Sequence, residues 1–304
     1  MFVTANRDRR TAGLRWGLEP ICRALQVSPA SVRSVLARPR APRHLADDVL
    51  KVRVREIFDE HYKVYGCRKI RAVLAREHVI VDKDRVARLM RELNIRGASR
   101  ARRRFTTKAD RSHTRAPDRV QRDFTATGPN RLWVSDFTYC STWAGIAYVA
   151  FVIDVYSRMI VGWHLDTAMR TDLVMYALDQ AIWRRDTLLA GLIAHSDAGS
   201  QYTSIRYTDR LAEIGAVPSI GSIGDSYDNA MAESTIGLYK SELVWPQGPW
   251  RTIEQLELAT LVYVEWFNHR RLHGELGLIT PTEAEQQYYL QPRPETPVTT
   301  NNRT

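Results

Sequence analysis

The sequence predicts an α/β protein in which a mixed sheet is flanked by helices and preceded by small all-helical segments. Three segments rich in β-branched and aromatic residues follow one another with short links, and two shorter apolar segments alternate with helical patterns. Short links favour antiparallel neighbours and helical connections favour parallel ones, so both arrangements are expected in one sheet. The predicted strands are 131–140, 146–155, 159–165, 191–195 and 216–220, and the predicted helices among and after them are 171–189, 203–214, 229–243 and 252–269.

The first predicted helical segment covers residues 1–50. Its apolar residues fit two short amphipathic helices, with Ser28 and Pro29 between them. Ser28 can cap the second helix, and Pro29 suits its first position. A helix-turn-helix requires such a pair of helices with a tight capped turn, and a plain helical hairpin fits the same pattern.

Residues 51–97 predict a second small domain of three helices. The third helix begins after a cap at Asp82 or Asp84 and carries apolar residues at helical spacing. Its other face presents Arg85 and Arg88, which suit contact with the phosphates or a groove of DNA. A solvated helix surface explains the same arginines, so both interpretations stay open.

The balance of charge indicates a polyanionic partner, most simply nucleic acid. The chain has 44 lysine and arginine residues against 34 aspartate and glutamate residues, a formal net charge of +10. Ten of the basic residues, Arg103 and Arg104 among them, fall between residues 96 and 122, where there are two acids. This stretch lacks sustained apolar periodicity and predicts a basic linker along a phosphate backbone, with a solvated spacer as the alternative.

Several other classes of protein are disfavoured. No apolar run approaches the length of a membrane span, and the first residues lack the apolar stretch of a secretory signal, so we expect a cytoplasmic protein without a membrane partner. The cysteines Cys22, Cys67 and Cys140 are far apart and lack CxxC spacing. Neither a disulfide framework nor a structural zinc site is therefore predicted.

Three carboxylates stand at positions that suggest catalysis. Asp136 lies in the middle of a predicted strand, where a buried charge is costly unless it is paired or bound to a metal. Asp197 directly follows a strand, and open α/β sheets bind ligands at such ends. Glu233 lies one turn into a helix among small residues. Three hard oxygen ligands on separate elements suit Mg²⁺ or Mn²⁺, and a two-metal site supports in-line phosphoryl displacement.

The blocks around these acids resemble those of the DDE transposases of bacterial insertion sequences, relatives of retroviral integrases, and in particular their OrfB-type catalytic subunit. WVSDFTY, HSDAGSQYTS and YDNAMAESTIGLYKSEL contain the acids, and thirty-five residues separate Asp197 from Glu233, as is typical of the group. Further similar blocks are IDVYSRMIVGW, FNHRRLHGELGLITPTEAE and, upstream, YGCRKIRAVL with RVARLMRELNIRG. The resemblance covers about residues 50–287, and Ala198 departs from it where a larger polar or basic residue is usual.

The resemblance implies an RNase H-like, five-stranded mixed sheet and a metal-dependent reaction on DNA. Asp136, Asp197 and Glu233 would bind two Mg²⁺ (or Mn²⁺) ions, and the protein would cut DNA at the ends of the element and join the freed 3′-hydroxyl to another phosphodiester. The implied partner is double-stranded DNA, both transposon ends and target. It would be bound by a homo-oligomer of two or more copies, with a possible upstream-frame helix-turn-helix protein. The protein would be nucleoid-associated when on DNA.

Neighbours of the acids are predicted to contact DNA. Lys240 follows Glu233 by seven residues, where the group carries a basic residue, and would reach a phosphate near the cut. His195, two residues before the second acid, would orient the scissile group, with a core histidine as the alternative. Gln201 and Tyr202 would line the active-site loop.

Two further polar residues are predicted to have structural roles. Asn229 would cap the helix that bears the third acid, and Asp154 would belong to a turn. For Asn268, Arg271 and His273, the sequence suggests only a basic helix end that could meet DNA.

Together these observations divide the chain into five predicted parts. They are a helix-turn-helix-like segment (1–50), a small helical DNA-binding domain (51–97), a basic linker (98–127), an RNase H-like integrase catalytic core (128–246), and a C-terminal helix with a frayed tail (247–304). A nuclease that cuts without joining, and a domesticated DNA-binding protein without activity, are the competing functions. The three intact acids argue against the latter.

Overall fold

The computed structural model describes residues 2–37, 41–98, 120, 124–185, 189–221 and 229–291. The chain divides into two compact units, Met1–Arg55 and Glu56–Thr304. Within the described ranges, no helix is both long and apolar enough to cross a membrane. The predicted DNA contacts Arg103 and Arg104 lie outside the described residues.

Short helices make up most of the first unit. Its elements are α1 (Phe2–Asn6), the antiparallel pair β1 (Arg10–Thr11) and β2 (Leu14–Arg15), α2 (Leu18–Ala24) and α3 (Pro29–Ala37). The N–H of Ser31 donates a hydrogen bond of 3.5 Å to Ser28 Oγ near the start of α3. Two short helices are therefore present where the sequence predicts them, with Ser28 at the turn.

A single helix, α4 (Pro42–Glu60), begins in the first unit and ends in the second. Residue 50, where the sequence predicts a domain boundary, falls inside this helix. Pro42 at its first position is a start signal, because proline there gives up an N–H that would have no helical partner.

Two more helices, α5 (Cys67–Arg76) and α6 (Lys83–Glu92), follow in the second unit. The N–H of Asp84 donates to the carboxylate of Asp82 at 3.1 Å, so Asp82 caps α6. Arg76 forms a two-pronged ion pair with Glu283, at 2.9 and 2.8 Å. These helices therefore belong to the same compact unit as the C-terminal region, whereas the sequence suggested a separate domain.

The second unit is built on a five-stranded mixed sheet. Its strands are β3 (Leu132–Thr142), β4 (Gly145–Asp154), β5 (Ile160–Asp166), β6 (Ile193–Ser196) and β7 (Val217–Ile220), in the spatial order β5-β4-β3-β6-β7. The pairs β3–β4 and β4–β5 are antiparallel, and β3–β6 and β6–β7 are parallel. This arrangement confirms the predicted RNase H-like sheet.

Helices cover both faces of the sheet. α7 (Thr171–Arg185) and α8 (Ile205–Glu213) pack on one face, in an apolar core that includes Ala150 of β4. Phe151, the next residue along β4, packs its ring 5.1 Å from that of Tyr239, so α9 (Ala230–Tyr239) lies on the other face. Asp136 is directly opposite Phe151 in the register, so its side chain is on the α9 face.

The chain after α9 stays helical over most of its described length. A π-helical turn (Lys240–Val244), α10 (Trp245–Gln247), α11 (Ile253–His269) and α12 (Pro281–Leu290) follow in order. The frayed tail expected after residue 269 is wrong for residues 281–290. There the side chain of Thr280 accepts from the N–H of Glu283, and the Glu283 carboxylate accepts from the N–H of Thr280, which forms a capping box.

Candidate active site

Asp136 and Asp197 lie side by side on neighbouring parallel strands. β3 and β6 pair with Ser135 opposite Ser196, and each aspartate is the next residue along the chain. β6 ends at Ser196, so Asp197 stands at its carboxyl end, whereas β3 continues to Thr142. Both carboxylates keep part of their surface accessible. The register of two central strands thus creates an acidic pair at the edge of β6.

The environment opposes ionisation of this pair. Burial, and after it the charge of Asp197, raises the pKa of Asp136 to about 8. The N–H of Phe137, which donates to Asp136 Oδ1 at 2.8 Å, acts in the opposite direction. Burial also raises the pKa of Asp197, against a hydrogen bond of 3.0 Å from the N–H of Gly199. A cation bound between the two carboxyl groups would favour the ionised form of both.

Glu233 lies in the first turn of α9, and Asn229 ties that helix to the strand of Asp136. Asn229 Nδ2 donates to the carbonyl of Ser135 at 3.0 Å, one residue before Asp136. The structure contradicts the predicted side-chain cap, because the amide of Asn229 binds β3 and makes no cap hydrogen bond. No local pattern indicates this contact, since 94 residues separate its partners.

The oxygen donors fit a divalent ion such as Mg²⁺ or Mn²⁺ by their chemistry. The structure brings Asp136 and Asp197 together, and it does not gather Glu233 with them. Among the described residues, no three histidine, cysteine, aspartate or glutamate side chains form a group that could hold a metal ion. Carboxylates repel one another, so the approach of a third one to the pair requires a cation.

Lys240 interacts electrostatically with Asp136. Its charge opposes the rise in the pKa of Asp136, and its Nζ is 4.9 Å from the centre of the Tyr139 ring. Lys240, the first residue of the π-helical turn, therefore acts on the charge of Asp136 and also lies over the exposed ring of Tyr139. Tyr139 was not identified from the sequence, because an aromatic residue in a strand is also typical of a core.

His195 is fully buried and so presents no surface to DNA. Its Nδ1 lies 2.9 Å from Ser219 Oγ, and its ring packs edge-on against Phe124. It faces Val134 in the register, one step before the acidic pair. The structure therefore favours the alternative of a core histidine that supports Asp197.

Gln201 and Tyr202 are also buried, although the sequence suggests that they contact DNA. Gln201 Nε2 donates to the carbonyl of Met169 at 3.3 Å. The ring of Tyr202 packs between those of Phe137 and Tyr207, with centroids 6.1 and 5.4 Å away. Burial raises the pKa of Tyr202, and the charge of Asp136 adds to that rise.

Arg85 and Arg88 of α6 are half-buried. Arg88 Nη1 lies 2.6 Å from Glu92 Oε1, an i,i+4 ion pair along the helix. Arg85 also has an interaction partner. Contact of Arg85 and Arg88 with DNA stays a prediction.

The polar residues at the end of α11 and just after it are buried, which overturns the suggestion that they meet DNA. Asn268 binds both backbone groups of Ile160 on β5, each at 2.9 Å. Arg271 and Glu242 form a buried two-pronged ion pair, and His273 packs against a ring of α11. The predicted turn role of Asp154 agrees with the hydrogen bonds that it accepts from Ser157. These side chains hold the helices to the sheet.

Comparison with known families gives two matches over the sheet and one over the helices before it. Residues 126–226 and 215–281 match integrase core domains, and residues 44–104 match an HTH-like domain. The HTH-like match thus covers α4 to α6, whereas the sequence suggested a helix-turn-helix within residues 1–50.

Two relatives extend over nearly the whole chain. A putative transposase for insertion sequence element IS986/IS6110 of Mycobacterium tuberculosis is 48% identical over 271 residues, which is 88% of this chain and 98% of the relative. The transposase for insertion sequence element IS629 of Shigella sonnei is 45% identical over 280 residues, 90% of this chain and 93% of the relative.

Among solved structures, a chain of the simian T-cell lymphotropic virus intasome in complex with PP2A regulatory subunit B56 gamma is similar. It aligns with a TM-score of 0.47 and 16% identity over 76% of each chain. The catalytic core domain of BIV integrase aligns with a TM-score of 0.41 and 20% identity, over 53% of this chain and 96% of that one.

The sheet, the acidic pair and the integrase core matches define the class of this protein as a polynucleotidyl transferase. The identity to its relatives is more specific. The chain belongs to the transposases of bacterial insertion sequences.

Proposed function

We propose that this transposase cuts DNA at the ends of its insertion sequence and joins the freed 3′-hydroxyl to a second phosphodiester. Asp136, Asp197 and Glu233 would hold two Mg²⁺ or Mn²⁺ ions for this reaction. The observation that carries the proposal is the parallel register that sets Asp136 beside Asp197, where burial and like charge disfavour two anions. Bound divalent ions would supply positive charge that stabilises the attacking and leaving oxygens of an in-line displacement.

The protein's own residues orient the acids for this task. The N–H of Gly199 holds one oxygen of Asp197. Asn229 anchors the start of α9 to β3, and this anchor fixes the first turn of α9, which carries Glu233. Lys240, a compact cation close to Asp136, would bind a phosphate near the cut.

Double-stranded DNA is the proposed partner, both as transposon ends and as target. Two ends must be held at once for joining, so we expect a homo-oligomer of at least two copies on DNA. An upstream-frame protein is a further possible partner. Arg85 and Arg88, with Arg103 and Arg104 of the basic segment, would add phosphate contacts. The protein would act in the cytoplasm and on the nucleoid.

The test uses two labelled substrates, an intact duplex that carries an element end and a pre-cut duplex with a free 3′-hydroxyl. We expect wild type with Mg²⁺ and the upstream-frame protein to nick the first and to join the second to other DNA. Asp197→Asn should do neither. Asp209→Asn, at an exposed aspartate of α8, should match wild type. Cutting without joining would instead indicate a nuclease.

A further inference from the structure

Two exposed aromatic side chains beyond the acidic pair each carry a basic group over the ring. Tyr139 is 63% exposed, with Lys240 Nζ 4.9 Å from its ring centre. Trp143 is 69% exposed, with the guanidinium carbon of Arg251 5.7 Å from its ring centre. We call these four residues the aromatic–cation strip.

The strip follows β3 outward from Asp136. Tyr139 is three residues past Asp136, and Trp143 comes directly after the strand ends at Thr142. The rings are four residues apart along the chain, and Trp143 lies in the turn that joins β3 to β4. Tyr139 and Asp136 are an odd number of residues apart and so project from opposite faces of β3, but Lys240, which follows α9 on the Asp136 face, reaches the Tyr139 ring. Four residues of extended chain span about 13 Å, which is the length of about four stacked nucleotides.

Backbone contacts fix the outer end of the strip. The N–H of Trp143 donates to the carbonyl of Trp250 at 2.9 Å, and Thr142 forms a parallel bridge with Trp250. Arg251 is the next residue, so this bridge brings its side chain to the Trp143 ring. At the inner end, Lys240 is the first residue after α9, and its Nζ lies over the Tyr139 ring.

Burial does not explain these rings, since most of each side chain is open to solvent. Aromatic faces interleaved with cations along one line are the arrangement by which proteins bind single-stranded nucleic acid. The rings stack on unpaired bases, and the cations neutralise phosphates. A base paired within a duplex cannot present its face to a ring in this way.

We propose that the aromatic–cation strip binds an unpaired DNA strand that leads away from the cut, with bases on Tyr139 and Trp143 and phosphates on Lys240 and Arg251. The inference rests on the proposed function, in that the strand is the one whose phosphodiester reaches Asp136. The part of the substrate that the strip binds is a single strand of about four nucleotides.

Binding to a labelled 15-nucleotide single strand, followed by fluorescence anisotropy, tests the proposal. Every protein carries Asp197→Asn and is kept in EDTA, so that binding is measured without cleavage. Tyr139→Ala and Trp143→Ala should each weaken binding about 5- to 150-fold, the range for loss of one stacked base. Trp143→Phe keeps an aromatic face and should recover most of the affinity.

A matched control is Trp183→Ala, which removes a tryptophan that is 82% exposed on α7, away from β3. It should bind the single strand as the parent does. The proposal is overturned if Trp143→Ala binds like Trp183→Ala, or if Trp143→Phe binds as weakly as Trp143→Ala. The result is independent of strand cutting. If Tyr139→Ala and Trp143→Ala weaken single-strand binding but Asp197→Asn alone cuts and joins DNA as wild type does, the strip is supported and the proposed function is refuted.

Discussion

Replacement of Arg271 by methionine should destabilise the second unit strongly. Arg271 Nε and Nη2 donate to Glu242 at 2.8 and 2.6 Å, and each side chain is 5% exposed. Without the guanidinium, Glu242 keeps the hydroxyl of Tyr263, at 3.1 Å, and loses its charged partner. A buried carboxylate left in this way costs about 3–5 kcal/mol, a large share of the about 5–15 kcal/mol that stabilises most proteins.

Urea unfolding followed by circular dichroism measures this loss. The double variant Arg271→Met with Glu242→Leu removes both charges and should recover most of the stability, because an apolar pair of similar volume avoids the desolvation of ions. The control is Arg206→Met, which breaks an exposed ion pair with Asp172 and should cost about 0–1 kcal/mol. The reasoning is refuted if Arg271→Met unfolds like Arg206→Met, or if the double variant is as unstable as the sum of the single variants.

Three more predictions follow from the sheet and its acids. Since the pKa of Asp136 is raised to about 8 from an ordinary value of 3.8, stability without added metal should fall as pH rises between these values, and Mg²⁺ should raise Tm more at pH 8 than at pH 6. Asp136→Asn should weaken both trends in a thermal-shift assay, and unchanged trends would contradict the assignment. Gly162→Ala should destabilise the fold by about 1–3 kcal/mol in urea titrations, because its Cβ would overlap the carbonyl oxygen of Ala177 on α7, and a neutral effect would show that α7 yields. Asn229→Ala should weaken Mg²⁺ affinity in calorimetry with little change in Tm, whereas an unchanged affinity would show that the link to Ser135 does not orient Glu233.

The strands could be predicted closely because each combines β-branched and aromatic residues with clear turn signals. β3 was expected at 131–140 and is observed at Leu132–Thr142, and β4 was expected at 146–155 and is observed at Gly145–Asp154. Short and helical links also gave the antiparallel and parallel pairings. Because these signals are local, they can be recognised in a single sequence.

α12 was missed although its signal was present. Thr280 is followed by Pro281 and, three residues on, by Glu283, which is the pattern of a capping box with proline at the first helical position. The polar composition and the prolines further along favoured a frayed end. In the structure, the capping box and the ion pair of Glu283 with Arg76 stabilise a helix there. A partner 207 residues away cannot be recognised from a local sequence pattern.

The meeting of Asp136 and Asp197 depends on the register of β3 and β6, because Asp197 follows the carboxyl end of β6 whereas Asp136 lies in the middle of β3. The sequence indicates the strand end at Asp197, but it does not indicate the register. The burial of His195 and Tyr202 could not be predicted, because a polar residue near acids has the same pattern whether it faces DNA or the core. The ion pair of Arg271 with Glu242 had no local signal either, as it depends on how the π-helical turn meets the end of α11.

The most direct test of the central claim, that these carboxylates bind the catalytic metal, is a change of ligand at Asp197. Asp197→Cys would be assayed for strand cutting with the upstream-frame protein and with Mg²⁺ or Mn²⁺, because a thiolate binds the softer ion in preference to Mg²⁺. We predict no cutting with Mg²⁺ and recovered cutting with Mn²⁺, while wild type cuts with both. Equal activity of Asp197→Cys and wild type with Mg²⁺ would contradict the account.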